Sequence, residues 1–129
     1  MKALIVEDEK MARTQLARVL STEFPDIEII SMTDSVSSTI AYLNAEPEPD
    51  VIFMVPMVIE KIYRKVILPL IEKKSMQLAM RFPLIESHIN EIIRQRMIRM
   101  FGGRFYEVII GGAALSDEVE KFLKKVRFP

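Results

Sequence analysis

A chain of 129 residues, half of them hydrophobic and 28% charged, is sized and composed for one globular domain. With no cysteine it has neither a disulfide framework nor a thiolate metal centre, and no apolar run approaches the roughly 20 residues that cross a bilayer. Zero net charge conceals an imbalance: residues 1–54 carry four Lys/Arg against ten Asp/Glu, residues 55–129 fourteen against eight. Lys2 precedes only a four-residue apolar run and then acids, so no secretory signal is read and a cytoplasmic setting is expected.

In chain order, KALIV (2–6) is a continuous apolar run ending in acids, the pattern of a strand buried on both faces. Met11, Leu16, Val19 and Leu20 recur at helical spacing over 10–21, and Pro25 closes the turn that follows. IEIISMT (27–33) is a second strand. Ser35 caps a helix to about Leu43 with Val36, Ile40 and Leu43 on one face, and the Pro-rich AEPEPD leads into a third strand, DVIFM (50–54).

After Pro56 the pattern becomes helical. Ile59, Ile62, Tyr63, Val66 and Leu70 form an apolar stripe, with Lys61, Arg64, Lys65, Lys73 and Lys74 off it, and Pro69 is expected to kink or break the helix. Pro83 opens another helix with Ile85, Ile89, Ile92, Ile93 and Met100 inward, stopped by Gly102-Gly103. FYEVII (105–110) is a fourth strand. Ser116 caps a last helix whose Asp117, Glu118 and Lys124, Lys125 match the helix dipole. Right-handed crossovers then predict a single domain (1–129) with an α/β fold: a three-layer sandwich around a four-stranded parallel sheet, order 2-1-3-4, topology βαβαβααβα, flavodoxin- or receiver-like.

The stretches MKALIVEDE, DSVSSTIAYL and PDVIFM make residues 1–54 resemble the first half of a response-regulator receiver domain of the LytTR class. The resemblance implies a Mg²⁺ site at the acids after the first strand, here Glu7 and Asp8, and a phosphoacceptor aspartate at position 55, where this chain has Val55. Residues 55–129 resemble an internal stretch of an AMP-forming acyl-CoA ligase, on VPMVIEKIYRKVILPLIEKK and MFGGRFYEVIIGGAALSDEVEKFLKKVRFP. That resemblance implies an adenine-binding turn at Gly111, Gly112 and Ala113, without the family's phosphate loop, Tyr-Gly-x-Thr-Glu motif or lysine domain. Together the two resemblances imply an engineered chimera with its seam near Met54/Val55.

Each feature also has a plainer reading. Glu7 and Asp8 read as loop carboxylates, since Mg²⁺ demands near-octahedral oxygen ligation and their third protein ligand is gone. Gly111-Gly112 reads as a turn needing glycine's dihedral freedom. His88 has neither Cys nor a second His as company and reads as a partly buried helix residue. Arg94, Arg96, Arg99 and Arg104 read as a solvated face rather than a nucleic-acid patch. The nine methionines read as adaptable core filler.

The expectation is therefore a structural protein without native enzymatic activity, cofactor or dedicated small-molecule substrate, and with neither nucleic acid nor membrane as partner. Two rivals stay open: a non-phosphorylatable pseudo-receiver that dimerises or docks a partner, and a weak adenine-nucleotide binder. A homodimer is expected through the fourth strand, read as an unpaired apolar edge, or through its flanking helices, with exchange about Pro69 or Pro83.

Overall fold

The computed structural model describes residues 1–45 and 48–129; Glu46 and Pro47, within the Pro-rich loop before the third strand, lie outside the described residues. Four strands, β1 (Lys2–Val6), β2 (Glu28–Thr33), β3 (Val51–Met54) and β4 (Glu107–Ile110), form one parallel sheet in the order β2-β1-β3-β4. Val6 stands between Thr33 and Met54, and Met54 beside Ile110, so the carboxyl ends of all four strands share one rim.

The crossovers decide which face each helix covers. Stepping from β1 to β2 runs one way along the sheet; stepping from β2 to β3 and from β3 to β4 runs the other way. Right-handed connections therefore set α1 (Lys10–Glu23) on one face and everything between β2 and β4 on the opposite face. That second layer holds α2 (Val36–Asn44), α3 (Pro56–Ile62), the short α4 (Leu68–Ile71) and α5 (Lys74–Ala79), and the long α6 (Pro83–Met100). The last helix, α7 (Asp117–Val126), packs beside α6 in the same layer. The three-layer α/β architecture and strand order expected from sequence are present, but the layers are unequal.

Alternation along the strands sorts the core accordingly. Leu4, Val6, Ile52 and Met54 point into the thick layer and join Ile59, Ile62, Ile67, Ile93, Met97, Phe101, Val119 and Phe122 in one cluster. Each such side chain contributes about 1.5–3 kcal/mol on burial. Residues from both 1–54 and 55–129 share this cluster.

Pro69 does not break its helix. A π-helical turn, Tyr63–Ile67, precedes it, and the Leu68 N–H donates to the Tyr63 carbonyl five residues back. Widening the turn accommodates a residue that has no N–H to give. It also shifts the stripe by one position, so Ile67 follows Ile62 into the core while Val66 and Leu70 are only half-buried. The chain breaks at 72–73, after α4.

Helix ends follow local chemistry. Ser35 and Ser38 make a reciprocal capping box on α2, each side chain bonded to the other's backbone N–H (3.1 Å both ways). At the other end of α6, Gly102 (φ +85°) and Gly103 (φ +75°) close a Schellman motif, donating to Arg99 and Ile98 carbonyls at 3.1 and 2.9 Å. Ser116 sits at the cap position of α7, yet its hydroxyl makes no capping bond.

Several inward positions read from spacing face solvent. Met11 and Val19 are exposed because α1 has no neighbour beside it, and Leu20 alone on that helix is buried. On α6, Ile85 and Ile92 are exposed; the buried line is Ile93, Met97 and Phe101, since only the second half of the helix reaches the core. The fourth strand is shorter than FYEVII. Phe105 leaves it to pack its ring edge-on to Phe101 (6.1 Å between centroids) and Tyr106 is exposed.

Candidate functional site

Open parallel sheets bind ligands at the carboxyl rim of their strands, where the order reverses. In this chain the reversal lies between β1 and β3, and the loops there carry Glu7-Asp8, Val55 and, from β4, Gly111-Gly112.

Glu7 is buried and already committed to its own loop. Its N–H donates to the Thr33 carbonyl (3.0 Å), its carboxylate accepts the Glu9 N–H (3.0 Å), and its carbonyl accepts from the Arg13 guanidinium (2.6 Å). Asp8 is exposed beside it. Among the described residues no group of three or more His, Cys, Asp or Glu is placed to hold a metal ion. One carboxylate serving a backbone N–H and one turned to water fall short of the oxygen shell Mg²⁺ requires.

Val55 follows β3 on the same rim. Its N–H donates to the Val6 carbonyl (3.3 Å), and its Cγ1 lies 3.8 Å from the point a Gly112 Cβ would occupy. Gly112 has φ +93°, a conformation that disfavours any side chain, whereas Gly111 does not. The turn therefore needs glycine at one of its two positions. Ala113 is exposed beyond it.

Glu7, Val55, Gly111 and Gly112 meet on one wall of a groove of about 470 Å³. Its floor is Phe53 and Ile109, from the strand positions that point to the α1 side, and its other wall is the α1 residues Ala12, Gln15, Leu16 and Val19. Asp8 and Ala113 are not part of its lining. Sequence reading found the rim but missed the groove, because the runs VIFM and FYEVII do not say which face of the sheet a single helix covers. The available signal was the count of crossovers, which supplies one helix for that face.

A second polar cluster joins α3, the π-helical turn and α7. The Tyr63 hydroxyl donates to the Glu118 carboxylate (3.1 Å), and the Ser116 N–H donates to Glu60 (2.9 Å), leaving the Ser116 hydroxyl buried without a partner. Burial of the Tyr63 ring raises its pKa above the usual 10.0; the hydrogen bond to Glu118 and the Glu118 and Glu72 charges add to this, and Arg64 opposes it. The cluster ties α3 to α7 across the thick layer.

The remaining candidates disperse. His88 is exposed rather than half-buried, because the first half of α6 projects beyond the core. Arg94 bonds the Arg127 carbonyl (2.9 Å) and Glu91, Arg96 and Arg99 line a hollow against α2, and Arg104 pairs with Glu48 at the opposite end of the sheet. The four arginines do not share one patch. No helix is long and apolar enough to cross a membrane among the described residues.

No family model matches the chain, and no curated protein matches it. Among solved structures, RcsB from Salmonella enterica serovar Typhimurium, bound to promoter rprA in the presence of phosphomimetic BeF3⁻, aligns over 98% of this chain and 98% of that one. The identity is 12% and the TM-score 0.43.

Proposed function

We propose that the chain is an engineered chimeric α/β protein, a receiver-like half (1–54) joined to an acyl-CoA-ligase-like half (55–129), with no enzymatic activity of its own. The observation that carries this reading is Val55 at the end of β3. A side chain without oxygen stands where the receiver resemblance calls for a phosphoacceptor, and the resemblance itself changes at that residue. The charge imbalance changes sign at the same boundary. Joining two α/β proteins there is physically economical. A strand that ends in a helix with Pro56 at its first position preserves the βα grammar of both parents. One shared core then makes the two halves a single domain.

Intact-mass measurement after incubation with acetyl phosphate and Mg²⁺ tests the reading; no added phosphoryl group is expected. Val55→Asp is expected to remain unmodified as well, because the carboxylate of Glu7 is engaged by the Glu9 N–H and offers little to a metal. Incubation with ATP, fatty acid and CoA is expected to release no pyrophosphate above a protein-free control. A hydroxylamine-labile phosphoryl adduct, or an acyl-adenylate, would overturn the assignment.

A further inference from the structure

The sheet has two edges, and each is protected differently. On β2 the register against β1 slips between Ala3 and Leu4, so Ile30 stands as an extra residue whose carbonyl accepts from the Tyr42 hydroxyl (3.4 Å). A bulge turns an edge away from a flat partner. At the other edge, β4 pairs with β3 without a slip, and Glu107 is its one charge beside Val108, Ile109 and Ile110. Its own residues do little to blunt it.

The protection of β4 comes from residues 127–129. Arg127 (φ +53°) ends α7 in a Schellman motif, the Arg127 and Phe128 N–H groups donating to the Lys124 and Leu123 carbonyls (3.2 and 3.0 Å). The Phe128 ring packs on Phe101 and Phe105, 6.1 Å from each, and the Arg94 Nε–H donates to the Arg127 carbonyl (2.9 Å). The Gly111 N–H reaches the Met54 carbonyl on β3 (3.1 Å), so alternation turns the Val108 N–H to the open side, where it donates to the Pro129 carbonyl (3.3 Å). Proline has no N–H, so the segment accepts a bond from the edge without offering a donor to a further strand.

We propose that residues 127–129 are a strap that closes the β4 edge, and that the partner it excludes is a second copy of this chain. With the strap lifted, the Val108 and Ile110 N–H groups face outward unpaired, and the same edge of another copy offers them carbonyls. Two β4 edges then pair antiparallel across a twofold axis, joining two sheets into one. The strap is anchored on the thick layer, through the Phe101 ring and through Arg94 of α6. Loosening that layer therefore frees the edge, which couples assembly to the packing of α6 and α7.

Sedimentation velocity at about 0.1 mM protein, with amide exchange read by mass spectrometry at about 1 μM, tests the proposal. Wild type is expected at 14.9 kDa, and Phe128→Ser, which removes the ring anchor, at twice that mass. At the lower concentration the β4 segment of Phe128→Ser is expected to exchange at least about tenfold faster than in wild type. Adding Val108→Pro to Phe128→Ser is expected to restore the monomer. Proline removes the N–H that pairing needs, and because that N–H faces the open side the β3 ladder is spared. Should circular dichroism show Phe128→Ser unfolded, Arg94→Ala keeps all three rings and is expected to shift exchange in the same direction, more weakly. A wild type that already dimerises, a folded Phe128→Ser that stays monomeric, a dimer that persists with Val108→Pro, or β4 exchange unchanged in both Phe128→Ser and Arg94→Ala would overturn it.

Discussion

The two faces of the sheet are made of similar residues and are covered very differently. On one, Leu4, Val6, Ile52 and Met54 lie under the layer formed by α2 to α7 and join a continuous cluster; on the other, Ala3, Ile5 and Val51 are covered, while Phe53 and Ile109 are left beside a single helix. Hydrophobicity does not distinguish the faces. Chain path does: two crossovers run toward β4 and one runs toward β2, and handedness turns that count into one thick layer and one thin layer. Stability should therefore be concentrated on the thick side, and substitutions one residue apart on one strand should differ several-fold.

The largest effect is expected at Ile52→Ala, a fully buried position under the thick layer. Loss of the transfer term and the cavity left behind should cost about 2–5 kcal/mol, read as a lower midpoint in urea denaturation. Phe53→Ala, the next residue, removes more carbon from the groove floor and should nevertheless cost less. A larger loss at Phe53 would mean that the thin side holds the fold as firmly as the thick side does.

Gly102→Ala is expected to come second, on the loop linking the thick layer to β4. The residue holds φ +85°, and the new Cβ would lie 3.5 Å from the Leu43 Cβ, an ordinary contact. The cost is thus conformational, about 1–2 kcal/mol in the same assay. Gly103→Ala meets nothing within 4 Å but carries a similar dihedral, so equal losses at the two sites would show that backbone strain alone decides.

Tyr63→Phe should rank third, at about 1 kcal/mol near neutral pH, because it deletes the hydroxyl's hydrogen bond to Glu118. Its stronger signature is in pH dependence. The folded pKa of Tyr63 is raised, so its contribution is fully present below the unfolded value of 10.0 and is lost as pH rises through the folded value. Wild type should lose stability more steeply than Tyr63→Phe above about pH 10, with lysine titration common to both. Parallel curves would count against this account of the α3–α7 tie.

The strands, their order and most helix ends were legible because each had a local cause. KALIV and VIFM are runs that only buried strands tolerate, Ser35 and Gly102-Gly103 carry their own capping chemistry, and Pro83 marks its helix start. What was not legible depended on which neighbours a position would meet. Met11, Val19, Ile85 and Ile92 keep helical spacing with the core residues, yet the layer they would pack against is missing on one side or too short on the other. The π-helical turn before Pro69 is similar: proline announces a disturbance, while the packing of Ile67 selects a widened turn over a break. At the candidate site, the rim residues Glu7, Val55 and Gly112 could be placed from strand ends alone. The groove joining them is a consequence of layer count.

The smallest effect, and the one that most sharpens the contrast of faces, is expected at Ile109→Lys. Its side chain is 41% exposed on β4, facing the thin side, while Ile110 beside it packs against the thick-side core. A lysine at 109 can lay its methylenes on Phe53 and carry its ammonium to water, so urea unfolding should shift by less than about 0.5 kcal/mol. Ile110→Lys has no such exit and should cost several-fold more, as a charge forced toward an apolar cluster. If the two substitutions proved equally damaging, the thin side would have to be closed in solution even in the monomer. If Ile109→Lys raised the midpoint, the bare groove would be a strain on the fold that a charged side chain relieves.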